Sequence, residues 1–280
     1  MHPYTNQLAI LTTKHEKLPL IAPAMLEVVG LEVTDINLDT DQLGTFSGEL
    51  PRTASPLETA ITKAKLGMAA TGTAIGFASE GSIGPDPQNP YITSDIEIVV
   101  LVDQERDLVI HEFHRSFDIV AATSEVSMGE DLSSFLAKAD FPSHHLIAQA
   151  KVDGEIRTIK GLESSTALEN ALQELARYSE SGKVTLQTDF RANHSPSRRV
   201  NIQAAAQKLA VRLAQLCERC ETPGFGLVSY VTGVRCSGCG MQNPDAIAAE
   251  RLGCVSCEFE IAGKSIASSI PPERCDWCNP

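Results

Sequence analysis

The first 216 residues of this 280-residue chain contain no cysteine, and the whole sequence has one tryptophan and 5% aromatic residues. A disulfide framework is therefore excluded for most of the chain. No segment approaches the roughly 18 consecutive apolar residues of a membrane-spanning helix. The opening "MHPYTNQLAILTTKHEK" has no signal-peptide layout, so the expectation is a cytoplasmic protein with no membrane partner. Positive charge is also scarce: 23 Lys and Arg against 36 Asp and Glu leave a net charge of -13. A phosphate backbone or an anionic membrane would be repelled, which argues against nucleic acid as a partner. Residues 183–220 are a local exception, with seven basic residues against two acidic ones. With 42% hydrophobic and 21% charged residues the balance is that of a globular protein of one large domain or two.

Strand and helix patterns alternate along the first half. "QLAILTT" reads as a strand, "EKLPLIAPAMLEVV" as a short helix interrupted by prolines, and "GLEVTDI" as a second strand. After a turn-rich loop, residues 55–71 form an amphipathic helix with Leu57, Ile61, Ala64 and Met68 on one stripe. "TAIGFAS" is an apolar central strand that leads into "EGSIGPDPQNP", expected as a loop. "DIEIVVLVD" and "LVIHEFHRSFDIVAAT" suggest a hairpin turning at Gln104–Asp107. Helices near 129–139 and 165–180, strands near 144–161, the strand "KVTLQTDF" and a helix over 197–216 follow. The expected fold is α/β, a mixed twisted sheet flanked by helices, with a zinc-ribbon-like C-terminal domain. The divisions are an α/β body over 1–200, a connecting helix over 201–216 and a cysteine block over 217–280.

All eight cysteines lie in that last block as four Cys-x-x-Cys pairs: Cys217/Cys220, Cys236/Cys239, Cys254/Cys257 and Cys275/Cys278. Two thiolates on one tight turn hold half of a zinc tetrahedron, so four pairs imply two structural zinc ions. The intervening lengths of 15, 14 and 17 residues leave adjacent, nested and cross-braced pairings open. Iron–sulfur ligation, disulfides and redox Cys-x-x-Cys chemistry each suit this layout less well.

In the body, Ser55, Pro56 and Glu58 fit a capping box, which would engage Glu58 at its own helix start. Another role opens if Glu58 meets Glu80, because a hard cation such as Mg2+ takes carboxylate oxygens together with substrate phosphates. Thr12, Thr13 and Lys17 follow the first strand, where α/β sheets bind ligands, and Lys63 lies on the capped helix. "TDFRANHSPSRR" gathers Asp189, Arg191, His194, Arg198 and Arg199 before a long helix. That crowding suits a phosphate clamp, with Asp189 as ligand or base, and equally a salt-bridged loop. His114, His144 and His145 read as structural or exposed.

The order of these motifs resembles the house-cleaning nucleoside triphosphate pyrophosphatases of the inosine/xanthosine triphosphatase group. That group has Thr-Gly-Asn-x-x-Lys after a strand, and here Thr12-Thr13-Lys14-His15-Glu16-Lys17 stands in its place. The group's Glu-Asn-Ala-x-x-Lys-Ala is matched by Glu58-Thr59-Ala60-Ile61-Thr62-Lys63-Ala64, and Glu80 follows the next strand. The resemblance implies a nucleotide-pyrophosphatase-like body in which Glu58 and Glu80 hold catalytic Mg2+, with Glu49 as a third candidate. It implies that Lys17 and Lys63 bind phosphate, and it extends loosely to Arg191, Arg198 and Arg199. The chain departs from the group's pattern at Thr13, Lys14 and Thr59, and the likeness covers about residues 7–103. Over its whole length, including "LGTFSGELPR", "ASEGSIGP" and "CDWCNP", the sequence also resembles a bacterial domain family of unknown function.

Two functions are carried forward. One is a Mg2+-dependent hydrolase of a nucleotide or related phosphoanhydride. The other is a non-enzymatic nucleotide- or protein-binding module that uses its zinc ribbons for docking.

Overall fold

A computed structural model describes residues 1–40 and 54–280. Strand β1 (Leu8–Thr12), helix α1 (Leu18–Val29) and β2 (Glu32–Ile36) form a parallel β–α–β unit. Helix α2 (Pro56–Thr71) then leads to β3 (Ile75–Pro85), which pairs parallel to β1 and antiparallel to β4 (Thr93–Asp103). With β5 (Leu108–Ser116) the order across the mixed sheet is β2-β1-β3-β4-β5. The chain turns between β4 and β5 at the expected place, where Asp103 accepts the Arg106 N–H at 3.0 Å.

A second, antiparallel sheet holds β6 (Thr123–Ser127), β7 (Leu146–Val152), β8 (Glu155–Leu162) and β9 (Lys183–Thr188), in the order β6-β9-β7-β8. Helices α3 (Ser133–Lys138) and α4 (Ser165–Tyr178) pack on it, and Phe135, Leu146, Leu168, Leu175 and Leu186 form a core of its own. The body expected over 1–200 thus contains two sheets. Helix α5 (Pro196–Ala214) returns to the first sheet, where Ile202, Leu209 and Leu213 are buried with Ile21 and Met25 of α1 and Phe77 of β3. At roughly 1.5–3 kcal/mol for each large apolar side chain buried, α5 is a core element as much as a connector.

The first sheet therefore has α1 and α5 on one face and α2 on the other, where Ala60, Ala64 and Met68 cover Ile10, Ala78 and Val100. Two expectations change. The segment 80–85, expected as a loop, continues β3 in register with β4 as far as Pro85↔Thr93. Glu80 is therefore mid-strand, although it lies beyond the last residue that pairs with β1, Phe77. The long strand expected over 108–123 breaks at Ser116, and β6 joins the second sheet. The cysteine block adds a three-stranded antiparallel sheet of β10 (Gly226–Arg235), β11 (Gln242–Gly253) and β12 (Glu260–Ser265). Among the described residues no helix is long and apolar enough to cross a membrane.

The approach of α2 to the sheet needs a glycine at position 76. A Cβ there would lie 2.5 Å from Met68 Cγ and 2.9 Å from the Ala64 carbonyl oxygen. Gly76→Ala is expected to push α2 outward and destabilise the fold by about 1–3 kcal/mol. Denaturant unfolding measures this; an unchanged midpoint would contradict the packing.

Candidate functional site

The start of α2 settles where Glu58 points. Ser55 Oγ accepts the Glu58 N–H at 3.3 Å, and Glu58 Oε2 accepts the Ser55 N–H at 2.9 Å and its hydroxyl at 2.7 Å. The capping box is complete, and the Ser55 contacts hold the exposed Glu58 carboxyl below its usual range. Glu80 is buried on the α2 face of β3 and forms an ion pair with Lys63. Glu49 lies outside the described residues.

Across the sheet, on the α1 and α5 side, a second charged group is built around Lys17, the residue immediately before α1. Lys17 is 8% exposed, and its Nζ donates to Ser79 Oγ at 2.9 Å and to the Ser79 carbonyl at 3.3 Å. No carboxylate lies within ion-pair distance of this ammonium among the described residues. Burial, followed by the charge of Arg198, lowers its pKa to about 8; Lys63 lowers it further, while Glu97 and Glu80 act in the opposite direction. Arg198, fully buried in the first turn of α5, donates from Nε to Glu97 Oε1 at 2.5 Å and from Nη1 to the Phe190 carbonyl at 2.5 Å. Gly81 makes room for this pair, since a Cβ there would lie 2.3 Å from Glu97 Oε1 and 2.6 Å from Arg198 Nη2.

Asp95 is on the same face of β4 as Glu97 and is fully buried. Its Oδ2 accepts from Asn201 Nδ2 at 2.8 Å, and its Oδ1 has no partner among the described residues. Burial and then the Glu97 charge raise its pKa to about 7. Asp95, Glu97, Asn201 and Ser79 escaped the sequence reading. The first two had a signal: acids two residues apart inside the apolar run "DIEIVVLVD" share one face of a strand.

The remaining candidates separate. Thr12 is buried with its Oγ1 directed at α2, so close that a Cβ on Gly67 would lie 2.0 Å from it. Thr13 Oγ1 accepts the His15 N–H at 3.3 Å. Asp189, fully buried, accepts the N–H groups of Arg191 at 3.0 Å and Gly161 at 3.1 Å, and it grips the Arg191 guanidinium. Arg199 donates to the Ala192 carbonyl at 3.4 Å. The structure brings Lys17, Lys63, Glu80 and Arg198 together electrostatically and leaves Glu58 on its own cap.

The cysteines converge in two sets of four. One set is Cys217, Cys220, Cys254 and Cys257, the other Cys236, Cys239, Cys275 and Cys278, and within each all sulfurs lie within 4.8 Å of one another. The pairing is cross-braced, first knuckle with third and second with fourth. Sulfur separations of 3.5 Å for Cys220–Cys254 and 3.8 Å for Cys217–Cys257 and Cys236–Cys278 are too long for disulfides. They match the edge of about 3.8 Å that a tetrahedron with Zn–S near 2.3 Å requires. N–H groups of Gly238 and Ser256, each 3.3 Å from a sulfur, and the Asn243 amide, 3.5 Å from Cys275 Sγ, would stabilise thiolates. The donor chemistry and spacing thus fit two zinc ions, placed at opposite ends of the β10–β11 ladder.

A family model described as a domain of unknown function, DUF6671, matches residues 63–280. The match includes Lys63, Glu80, Glu97, Arg198 and all eight cysteines, whereas Lys17 and Glu58 precede it. No curated protein matches the chain.

Two outcomes follow. Purified protein is expected to carry two zinc ions per chain and Cys239→Ser one, measured by elemental analysis; one ion or none in the wild type would contradict the paired tetrads. For Asp95, a folded pKa near 7 exceeds the unfolded value of about 4, so the folded state binds the extra proton between those values. Its contribution is fullest below pH 4 and is lost as pH rises toward 7, by at most about 4 kcal/mol. Unfolding of wild type and Asp95→Asn over pH 5–8 is expected to show the variant gaining relative stability as pH rises; parallel curves would contradict it.

Proposed function

The chain belongs to the DUF6671 family, and we propose that its α/β body binds a nucleotide or related phosphoanhydride beside Lys17, while its zinc-held ribbons serve as a docking domain. The observation that carries this reading is the Lys17 ammonium, buried, bonded among the described residues to the neutral Ser79 groups, and near the charges of Arg198 and Lys63. An ammonium in such surroundings is stabilised by an incoming anion, and a phosphate oxygen would complete its donor set. The position agrees with the chemistry: Lys17 follows β1 and Ser79 lies just past the β1–β3 pairing, at the carboxyl ends of the parallel strands.

Magnesium does not enter this reading. Glu58 is engaged with Ser55 and Glu80 with Lys63, and among the described residues neither belongs to a cluster of three metal-ligating side chains. Hydrolysis is the second reading, favoured by Glu80, a buried carboxylate beside a lysine at the same end of the sheet.

Calorimetric titration with ATP tests the first reading. Lys17→Met is expected to weaken binding by about 10- to 100-fold, the loss of one charge-assisted hydrogen bond. Equal affinity in wild type and variant, or none in either, would overturn it. Pyrophosphate or phosphate release that requires Mg2+ and is abolished in Glu80→Gln would establish the second reading.

A further inference from the structure

His144 and Asp140, four residues apart in the segment between α3 and β7, meet Ser197 of α5 in one hydrogen-bonded chain. His144 precedes β7, Asp140 follows α3, and Ser197 lies in the first turn of α5. His144 Nδ1 is 2.9 Å from Asp140 Oδ2, and His144 Nε2 is 2.9 Å from Ser197 Oγ. The Ser197 backbone N–H also donates to Nε2, at 3.2 Å, which makes Nε2 the acceptor and places the ring proton on Nδ1, toward Asp140. The Val120 N–H donates to Ser197 Oγ at 3.2 Å and holds the hydroxyl oxygen in place. In this arrangement a carboxylate orients a neutral imidazole, whose Nε2 lone pair is shared between the Ser197 backbone N–H and the Ser197 hydroxyl. It is the geometry of an activated nucleophile, recognised by distances and roles rather than by sequence position.

The surroundings favour reaction with a small external substrate. His144 is 3% exposed and so shielded, Ser197 is half-buried, and Pro142, Ser143 and Pro196 beside them are exposed. Ser197 is at the positive end of the 19-residue helix α5, which favours charge developing on an oxyanion. Phosphoryl transfer would need cations aimed at several oxygens. The adjacent Arg198 is instead turned inward onto Glu97 and Phe190, and Arg199 donates to Ala192. A single carbonyl oxygen asks for less.

We propose that Ser197, His144 and Asp140 form a hydrolytic triad acting on small activated carboxylic esters, an activity additional to anion binding at Lys17. Ser197 Oγ attacks the carbonyl carbon while its proton passes to His144 Nε2. The C–O bond to the leaving group then breaks, and His144 returns the proton to the departing oxygen. Water, deprotonated by His144, attacks the acyl-serine, restoring the serine hydroxyl and releasing the carboxylic acid. No oxidant, reductant or metal is consumed.

The test uses the full chain loaded with zinc. A fluorophosphonate is expected to label Ser197 stoichiometrically: the Oγ–P bond forms, fluoride leaves and His144 takes the proton. Peptide mass spectrometry locates the adduct. p-Nitrophenyl acetate turnover is expected to fall at least about 100-fold in Ser197→Ala and His144→Gln and at least about 10-fold in Asp140→Asn. Should those variants not fold, Ser197→Cys provides a second reading, with expected alkylation by iodoacetamide well above the rate of a simple exposed thiol. Absence of the adduct in folded two-zinc protein, labelling unchanged in His144→Gln, or ordinary alkylation of Ser197→Cys would each overturn the proposal.

Discussion

The ion pair between Arg198 and Glu97 constrains everything around it. Both side chains are fully buried and their residues lie 101 positions apart, so the pair fixes where the first turn of α5 meets the first sheet. A buried pair of this kind adds little net stability compared with well-packed apolar side chains, but removing one partner strands a charge at a cost of about 3–5 kcal/mol. Its effect is to specify position. The chain builds a second sheet between β5 and α5, and the pair locates the returning helix. Gly81 is required beside it, Asp95 is driven toward its neutral form by burial and then by the neighbouring Glu97, and Lys17 feels the guanidinium as a repulsive charge. The electrostatics of the candidate site are thus consequences of how the body closes.

The cysteine block solves the same problem by another means. Its sheet is thin and largely exposed, and its small buried cluster consists of Val234, Cys236, Ile270 and Cys275. Apolar burial around twelve-residue β11 is small, and zinc bound by the two tetrads would supply folding energy that a core would otherwise provide. Cross-bracing suits this need. Each tetrad ties the residues at one end of the β10–β11 ladder to a distant knuckle, so both ends are pinned.

Much of this was legible in the sequence because local signals and tertiary structure agreed. The Ser55–Glu58 box, the turn between β4 and β5, the long apolar stripe of α5 and the grouped cysteines all appear where their patterns placed them. Glu80 was misplaced for a physical reason: "EGSIGP" carries turn-forming residues, yet pairing with β4 and the room that Gly81 leaves for Arg198 keep it extended. The β5 strand was drawn too long because "SFDIVAAT" is apolar enough to continue it, while Val126 belongs to the core of the second sheet. Knuckle pairing could not be read from spacings that fit several arrangements. The contact between His144 and Ser197, 53 residues apart, has no local signature.

If Lys17 is the anion-binding group, its buried ammonium must respond to a bound phosphate. Heteronuclear NMR of the Lys17 side chain, titrated through pH 6–11 with and without a nucleoside triphosphate, addresses it directly. The expected midpoint is about 8 in the free protein, moving upward by a unit or more when the ligand is bound, as a nearby negative charge favours the protonated form. A midpoint near the ordinary value of about 10.4 without ligand, or one that the ligand leaves unchanged, would contradict it.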